Sequence, residues 1–404
     1  MSKSTDNLNQ VFYYNSDDSC ILYSNLLSEL NRGCVYHSKV FSKTSSFFLN
    51  LLKAIIHNVD ITLLDPLQPV HESNSYTEVK ATTFVSFEEF KSLIKNSTAQ
   101  VSIFTSGTTG QPKKVTHTVQ NLIREVRENN KHLNDIWAYA YNPTHMAGLQ
   151  VLFQALLNQN TIIDVFSKGN REIVELIKNK KITHISATPT FYRFLLPLYQ
   201  PIDSLKSVSL GGEKSNDSLI IAISKSFPKA KIFNIYASTE AGTIFSSHGS
   251  NFKIQNNKLD LVKIIDNELL LHYSLLGTSE GLNEEWYATG DIVEWIDQHE
   301  KIFKFISRKN EMINVGGNKV NTNKVEEILL EMKQIKACFV YGKPNPLLGN
   351  MIFADLVLYD SSSITEIEIR KSLREILEPF EIPRKIGFVK SLETTRTGKL
   401  KRKK

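Results

Sequence analysis

From residue 101 to residue 235 short β-rich runs alternate with stretches of helical periodicity. The runs at 101–104, 136–141, 161–166, 182–187, 208–210 and 231–235 are predicted strands. Between them, 147–157 and 172–178 carry apolar residues at helical spacing. Such alternation predicts parallel strands joined by crossover helices, an α/β architecture. Past Gly242 the pattern becomes β-rich, with 259–273 and 291–306 reading as meander strands. A charged stretch at 307–311 precedes a compact α+β pattern: a helix near 324–332, strands near 337–341 and 352–359, and a helix near 366–377. We therefore expect a large N-terminal α/β domain, 1–308, with parallel sheets and a β-rich segment, and a small mobile C-terminal α+β domain, 309–404. No period suggests repeats.

A length of 404 residues suits two domains, and 41% hydrophobic with 22% charged residues suits a chain that buries a large core. The net charge of +6 fits anionic small molecules or an acidic protein partner and does not call for nucleic acid. Much of it sits in KLKRKK at 399–404, which lacks the interleaved aromatics of a nucleic-acid patch and the amphipathic helix of a membrane anchor. It reads as a solvated tail around one functional lysine. Three scattered cysteines without CxxC spacing indicate reduced thiols rather than a disulfide frame or a zinc site. The polar N-terminus has no apolar signal core, and Lys53, His57 and Asp60 interrupt the most apolar stretch, so no membrane span is expected. These features predict a cytoplasmic protein.

The most informative chemistry lies in FTSGTTGQPKK, residues 104–114. Directly after a predicted strand it concentrates hydroxyls, glycines and lysines, a composition that lets backbone N–H groups converge on a polyphosphate. Its spacing is not that of a Walker A loop. Alone it would be an ordinary Ser/Thr/Gly turn, but LGGEK (210–214), YASTE (236–240), YATGD (287–291), SRKNEMINVGGNKV (307–320) and TRTGK (395–399) follow in order. TSGTTG, LGGEK and YASTE each come after a predicted strand. In parallel sheets ligands bind beyond the carboxyl ends of strands, so the three can converge at one edge.

Together these motifs resemble the adenylate-forming superfamily of acyl- and aryl-CoA synthetases, peptide-synthetase adenylation domains and firefly luciferase. The resemblance covers roughly residue 99 to the C-terminus; the first hundred residues carry no motif and look shorter than the family's usual N-terminal subdomain. ITHISATPTFYRFLL (182–196) and VSLGGEK (208–214) are most similar to o-succinylbenzoate-CoA ligases and other small acyl- or aryl-CoA ligases. The resemblance implies ATP and Mg²⁺ as cofactors and a two-step reaction. A carboxylic acid attacks the α-phosphate of ATP to give acyl-AMP, then a thiol displaces AMP. The thiol is CoA or the phosphopantetheine of an acyl carrier protein, and the sequence leaves both open.

By the same resemblance, Thr105, Ser106, Gly107, Thr108, Thr109 and Gly110 with Lys113 hold the pyrophosphate-side oxygens, and Lys114 stands where glycine is usual. Gly211, Gly212 and Glu213 line the adenine and acyl pocket. Ile235, Tyr236, Ala237 and Ser238 flank the nucleotide, with Tyr236 facing adenine. Thr239 is assigned to the α-phosphate, Glu240 to Mg²⁺ and Asp291 to the ribose hydroxyls. Arg308 contacts ATP at the domain junction, Asn310 is the hinge, and Gly316 with Gly317 approaches the pantetheine arm after the small domain rotates. His145, in PTHMAGLQVL, sits beside the substrate carboxylate, and Lys399 is the closing catalytic lysine. The stretch around His145 and Met146 offers no carboxylate to pair an ammonium group, which favours acids without an α-amino group. A non-catalytic binding member is the competing class, and the retention of Thr239, Glu240, Asp291, Arg308 and Lys399 counts against it. Luciferase-type chemistry has no support beyond the shared fold.

Overall fold

The computed structural model describes residues 7–15, 19–37, 39–41, 46–65, 76–105, 113–166, 168–279, 284–346, 348–360, 362–395 and 399–401. An eight-stranded sheet forms the centre. Its strands run, in spatial order, Gly242–Ser247, Lys231–Ser238, Ser207–Gly211, His184–Ala187, Ile136–Tyr139, Thr161–Asp164, Val11–Tyr14 and Cys20–Leu22. The six inner strands pair parallel, and the two edge strands pair antiparallel with their neighbours. The predicted alternation thus yields the expected parallel pairing, in more than one sheet. Gln100–Thr105 lies in a four-stranded sheet with Lys39–Phe41, Ile61–Leu64 and Lys113–Thr118, parallel to Ile61–Leu64. It is also followed by an antiparallel partner rather than a helix, in register Thr105↔Lys113 to Gln100↔Thr118. The local pattern of an apolar run does not say which sheet the run joins.

Helix packing follows the sequence. Asn170–Asn179 is amphipathic and buries Ile173 and Ile177, one turn apart. Met146–Leu157 is apolar almost all round and buries nine of its residues. Gly148 makes that close packing possible, because a Cβ there would meet Asn142 O at 2.4 Å and the Tyr139 hydroxyl at 2.9 Å. Glu366–Arg374 starts with a capping box, Thr365 and Glu368 satisfying each other's backbone N–H groups.

The β-rich stretch forms a five-stranded antiparallel sheet, ordered Asn251–Lys253, Ile302–Arg308, Trp286–Asp297, Glu268–His272, Val262–Ile265. Beyond it, a hairpin of Met312–Val315 with Asn318–Asn321 and a sheet of Ile335–Asn345, Gly349–Leu358 and Lys385–Phe388 enclose a separate apolar core. That core runs from Val315 to Ile386 and includes Val325, Leu329, Leu356 and Leu373. Among the described residues no helix is long and apolar enough to cross a membrane.

Candidate active site

The carboxyl ends of the strands His184–Ala187, Ser207–Gly211 and Lys231–Ser238 open into a cleft of ≈ 1940 Å³. This exceeds the roughly 300–1,000 Å³ of a drug-sized pocket, so a nucleotide and a second reactant both have room. Thr105, Lys113, His145, Gly212, Glu213, Ile235, Tyr236, Ala237, Ser238, Thr239, Glu240, Asp291, Arg308 and Lys399 all line it. Gly211 does not. It closes its strand behind the wall, where a Cβ would meet Ile235 Cβ at 3.5 Å. Ser106, Gly107, Thr108, Thr109 and Gly110 lie outside the described residues. Gly316 and Gly317 form the exposed hairpin turn after Met312–Val315, both at positive φ (57° and 89°), and are not among the cleft-lining residues in this arrangement. Asn310 falls in a 3-10 turn, Lys309–Glu311, between the five-stranded sheet and that hairpin.

Two of the motifs, YASTE and YATGD, are largely strand. Tyr236, Ala237 and Ser238 finish the strand Lys231–Ser238, and only Thr239 and Glu240 make the turn into Gly242–Ser247. YATGD lies inside Trp286–Asp297, where Gly290 takes φ 74° and the pairing register shifts. The shift brings Asp291, 1% exposed, to the cleft wall. One of its oxygens accepts Arg308 Nε at 2.8 Å and the other accepts the Tyr236 hydroxyl. Burial pushes the Asp291 carboxyl up, while Arg308 and the tyrosine pull it back. Burial and the adjoining Asp291 push the Tyr236 hydroxyl up, so it stays a donor. These contacts fix Tyr236 and Arg308 relative to Asp291 and leave each carboxylate oxygen a further lone pair.

The Thr239–Glu240 turn is held from behind by residues that no motif marks. His117, on Lys113–Thr118, is 1% exposed, and its Nε2 bonds the Thr239 carbonyl at 2.8 Å. Burial pushes its pKa down, so the ring is neutral and donates from Nε2. Arg124 reaches the Ala241 carbonyl at 2.6 Å and that of Leu275 at 3.2 Å. Gly277 N–H donates to the Glu240 carbonyl at 2.7 Å, and a Cβ on Gly277 would meet His117 at 2.5 Å. The strand that leaves the Thr/Gly loop therefore braces the Thr239–Glu240 turn. A histidine seven residues past the Thr/Gly loop carries no sequence signal of its own; only the fold brings it to Thr239.

Lys399 enters the cleft from the small C-terminal part. Glu213 receives this segment: one carboxylate oxygen accepts Leu400 N–H at 2.8 Å, and the other accepts Thr190 N–H at 3.0 Å. The Lys399 side chain lies over Gly212, which has φ 82° and where a Cβ would approach Lys399 Cε to 2.9 Å. Only glycine suits both the dihedral and the contact. Withdrawal from solvent and the Arg308 cation push the Lys399 ammonium below its ordinary value, against the opposing pull of Glu213, Glu240 and Asp291. Nearby, Lys214 pairs with Glu327 at 2.7 Å and bonds the Ile306 carbonyl at 3.2 Å, tying helix Thr322–Glu331 to the large part.

The chain matches the AMP-binding enzyme family over residues 44–263 and the AMP-binding enzyme C-terminal domain over residues 324–399. It belongs to the AMP-binding enzyme family. Among curated proteins it is 26% identical over 321 residues to the putative long chain fatty acid-CoA ligase VraA of Staphylococcus haemolyticus, covering 74% of this chain and 68% of that protein. It is 28% identical over 333 residues to the 2-succinylbenzoate–CoA ligase of Staphylococcus aureus (strain MRSA252), covering 75% of this chain and 65% of the relative. In fold it is similar to the Bacillus subtilis o-succinylbenzoate CoA synthetase in complex with its acyl-adenylate intermediate. The TM-score is 0.70 at 17% identity, over 97% of this chain and 94% of that one.

Proposed function

We propose that the protein is an AMP-forming acid–thiol ligase that activates a carboxylic acid as acyl-AMP and transfers the acyl group to CoA. The carrying observation is the seating of Lys399, on Gly212 and beside Glu213, in the cleft that also holds Thr239, Glu240, Asp291 and Arg308. Adenylation joins two anions that repel each other, and an ammonium brought to the forming bond offsets the charge that builds there.

Glu240 supplies the hard oxygen that suits Mg²⁺, which when bound neutralises phosphate charge. Thr239 and Lys113 supply a hydroxyl and a cation for phosphate oxygens. Asp291 accepts from the ribose through its remaining lone pairs, with Tyr236 and Arg308 holding its orientation. His145, at the N-cap of Met146–Leu157, lines the cleft, and its assigned role is beside the acid carboxylate. Asn310 is the hinge, with the domain boundary after Arg308; the separate apolar core beyond Val315 supports rotation of the C-terminal part as a unit. That rotation would carry Lys399 out and bring Gly316 and Gly317 in for the thiol step.

Two CoA ligases among the relatives favour CoA as acceptor. A carrier-protein phosphopantetheine is the second reading. Free thiols at Cys20 and Cys338 and the use of ATP and CoA fit a cytoplasmic enzyme. The deciding experiment is acid-dependent exchange of pyrophosphate into ATP over a panel of aryl, fatty and α-amino acids, followed by thioester formation with CoA or with acyl carrier proteins. Exchange with aryl or fatty acids and none with free α-amino acids is expected. Efficient turnover of any amino acid would refute the acid class, and transfer to carrier protein in preference to CoA would refute the acceptor.

A further inference from the structure

We propose that His132, Asp135 and His184 form a binding site for one zinc-type divalent cation at the amino edge of the eight-stranded sheet, apart from the adenylation cleft. Asp135 immediately precedes Ile136–Tyr139, and His184 begins the adjacent strand His184–Ala187. His132 closes the short 3-10 helix Asn130–His132 that leads into Asp135. The cleft opens at the other ends of these strands, about 13 Å away for four residues at roughly 3.3 Å each.

The three donor atoms all lie within 4.8 Å of one another. Asp135 Oδ2 stands 2.8 Å from His132 Nδ1 and 3.5 Å from His184 Nε2. Tetrahedral zinc with ligands at about 2.0–2.1 Å places neighbouring donors about 3.3–3.4 Å apart. The Asp135–His184 edge already has that length, and the Asp135–His132 edge needs to open by about half an ångström. Two imidazoles and a carboxylate form the N,N,O set zinc accepts in sites that keep an open fourth position. The His132 side chain is about a third exposed, which leaves that position accessible to water.

The surroundings pre-orient the ligands. Thr183 Oγ1 accepts Ile136 N–H at 2.7 Å and bonds His184 Nδ1 at 2.8 Å, leaving Nε2 toward Asp135. The His184 ring also lies against Trp137, centroids 4.7 Å apart. A partner on the far ring nitrogen is the usual support of a metal-ligating histidine. The other Asp135 oxygen pairs with Lys206 at 3.1 Å, and Lys206 is mostly exposed and free to swing into solvent. The competing description is a purely structural cluster in which His132 and Lys206 neutralise a buried aspartate.

Lys206 separates the two. Its ammonium repels a divalent cation, so Lys206→Met should tighten binding, whereas in the structural description the same change only removes a partner of Asp135. The test is calorimetric titration of the chelator-treated full chain with Zn²⁺ in the absence of ATP, with thermal unfolding alongside. We expect one Zn²⁺ per chain, an affinity at least about 10-fold lower in His132→Ala, tighter binding in Lys206→Met, and a Zn²⁺-dependent rise in Tm that His132→Ala lacks. His132 is at the surface, so its variant tests the ligand without emptying a core position. The absence of saturable binding, equal binding by His132→Ala, or loss of the Zn²⁺ in Glu240→Gln would each overturn the proposal, the last by assigning the ion to the cleft.

Discussion

Two sides of the cleft are built in different ways. The Thr239–Glu240 turn is fixed by its scaffold: His117 and Arg124, on one strand–helix stretch, and Gly277, on a distant segment, take up the carbonyls of Thr239, Ala241 and Glu240. The Lys399 side is docked rather than built in. Its segment closes on itself through Thr395 N–H to the Lys399 carbonyl, and it meets the large part through Glu213 and the packing over Gly212. Groups needed throughout a two-step reaction are suited to the braced side. A group needed in one step only is suited to a contact of a single hydrogen bond and one glycine cradle. The contrast predicts that losses on the braced side impair everything that uses the nucleotide, whereas losses on the docked side divide the half-reactions.

The largest expected effect is on the braced side. Glu240→Gln keeps the size of the side chain but offers a neutral amide where a hard anionic ligand is needed. Acid-dependent pyrophosphate exchange should fall by at least about 10³-fold. Exchange at the wild-type rate would remove Glu240 from the metal role. Next is Lys399→Ala, which should slow acyl-AMP formation by about 10²-fold or more while conversion of supplied acyl-AMP to thioester stays nearly intact. Lys401→Ala is the control, because Lys401 reaches only the rim of the cleft and its mostly exposed ammonium pairs with Glu393. Equal losses in both half-reactions, or equal effects of the two lysines, would make Lys399 one more cation of a basic tail.

How legible each side is in the sequence follows from the same contrast. The residues that would meet ligand atoms are adjacent in short motifs, so YASTE, YATGD, LGGEK and the terminal lysine stand out in the amino-acid sequence alone. The strands behind them are equally plain, because alternation and β-rich runs report burial directly. Residues that act through the backbone of others leave no such mark. His117 and Arg124 reach carbonyls 117 or more positions away, and a carbonyl is the same acceptor in every residue. Glu213 is legible as a motif member, but its work of holding Leu400 N–H and Thr190 N–H depends on a meeting of distant segments. Which sheet the strand Gln100–Thr105 joins is equally unmarked in the sequence, since strand partners are chosen by tertiary packing.

Glu213 gives the next smaller effect. A carboxylate accepts both N–H groups at once, whereas an amide has one oxygen, so Glu213→Gln must release either the Lys399 segment or the Thr190 turn. One hydrogen bond to a charged acceptor contributes about 1.5–3 kcal/mol, and part of that loss is recovered by water in an open cleft. We expect acyl-AMP formation to slow by about 10-fold, with the thioester step unchanged and KM for ATP little affected. A rise in KM for ATP with kcat preserved would instead make Glu213 a nucleotide-binding residue.

The smallest effect tests the docked side at its rim. Lys214 and Glu327 are partly exposed and join the large part to helix Thr322–Glu331 only while the C-terminal part holds this orientation. An ion pair of that exposure contributes at most about 1 kcal/mol, a factor of about five in the population of the docked state. Lys214→Met should therefore slow acyl-AMP formation by less than about five-fold. Where rotation out of this orientation limits the second step, it should speed thioester formation from supplied acyl-AMP. Charge reversal at both positions, Lys214→Glu with Glu327→Lys, restores the pair and should recover the first step, although Lys214 also serves the Ile306 carbonyl and that bond is not restored. Each single reversal places like charges together and should slow the first step more than Lys214→Met does. Raising the salt concentration should shrink the differences among these variants, because partly exposed charges are screened. If Lys214→Met slows both half-reactions alike, and the double reversal recovers neither, the pair is a surface contact with no part in the docking of Lys399.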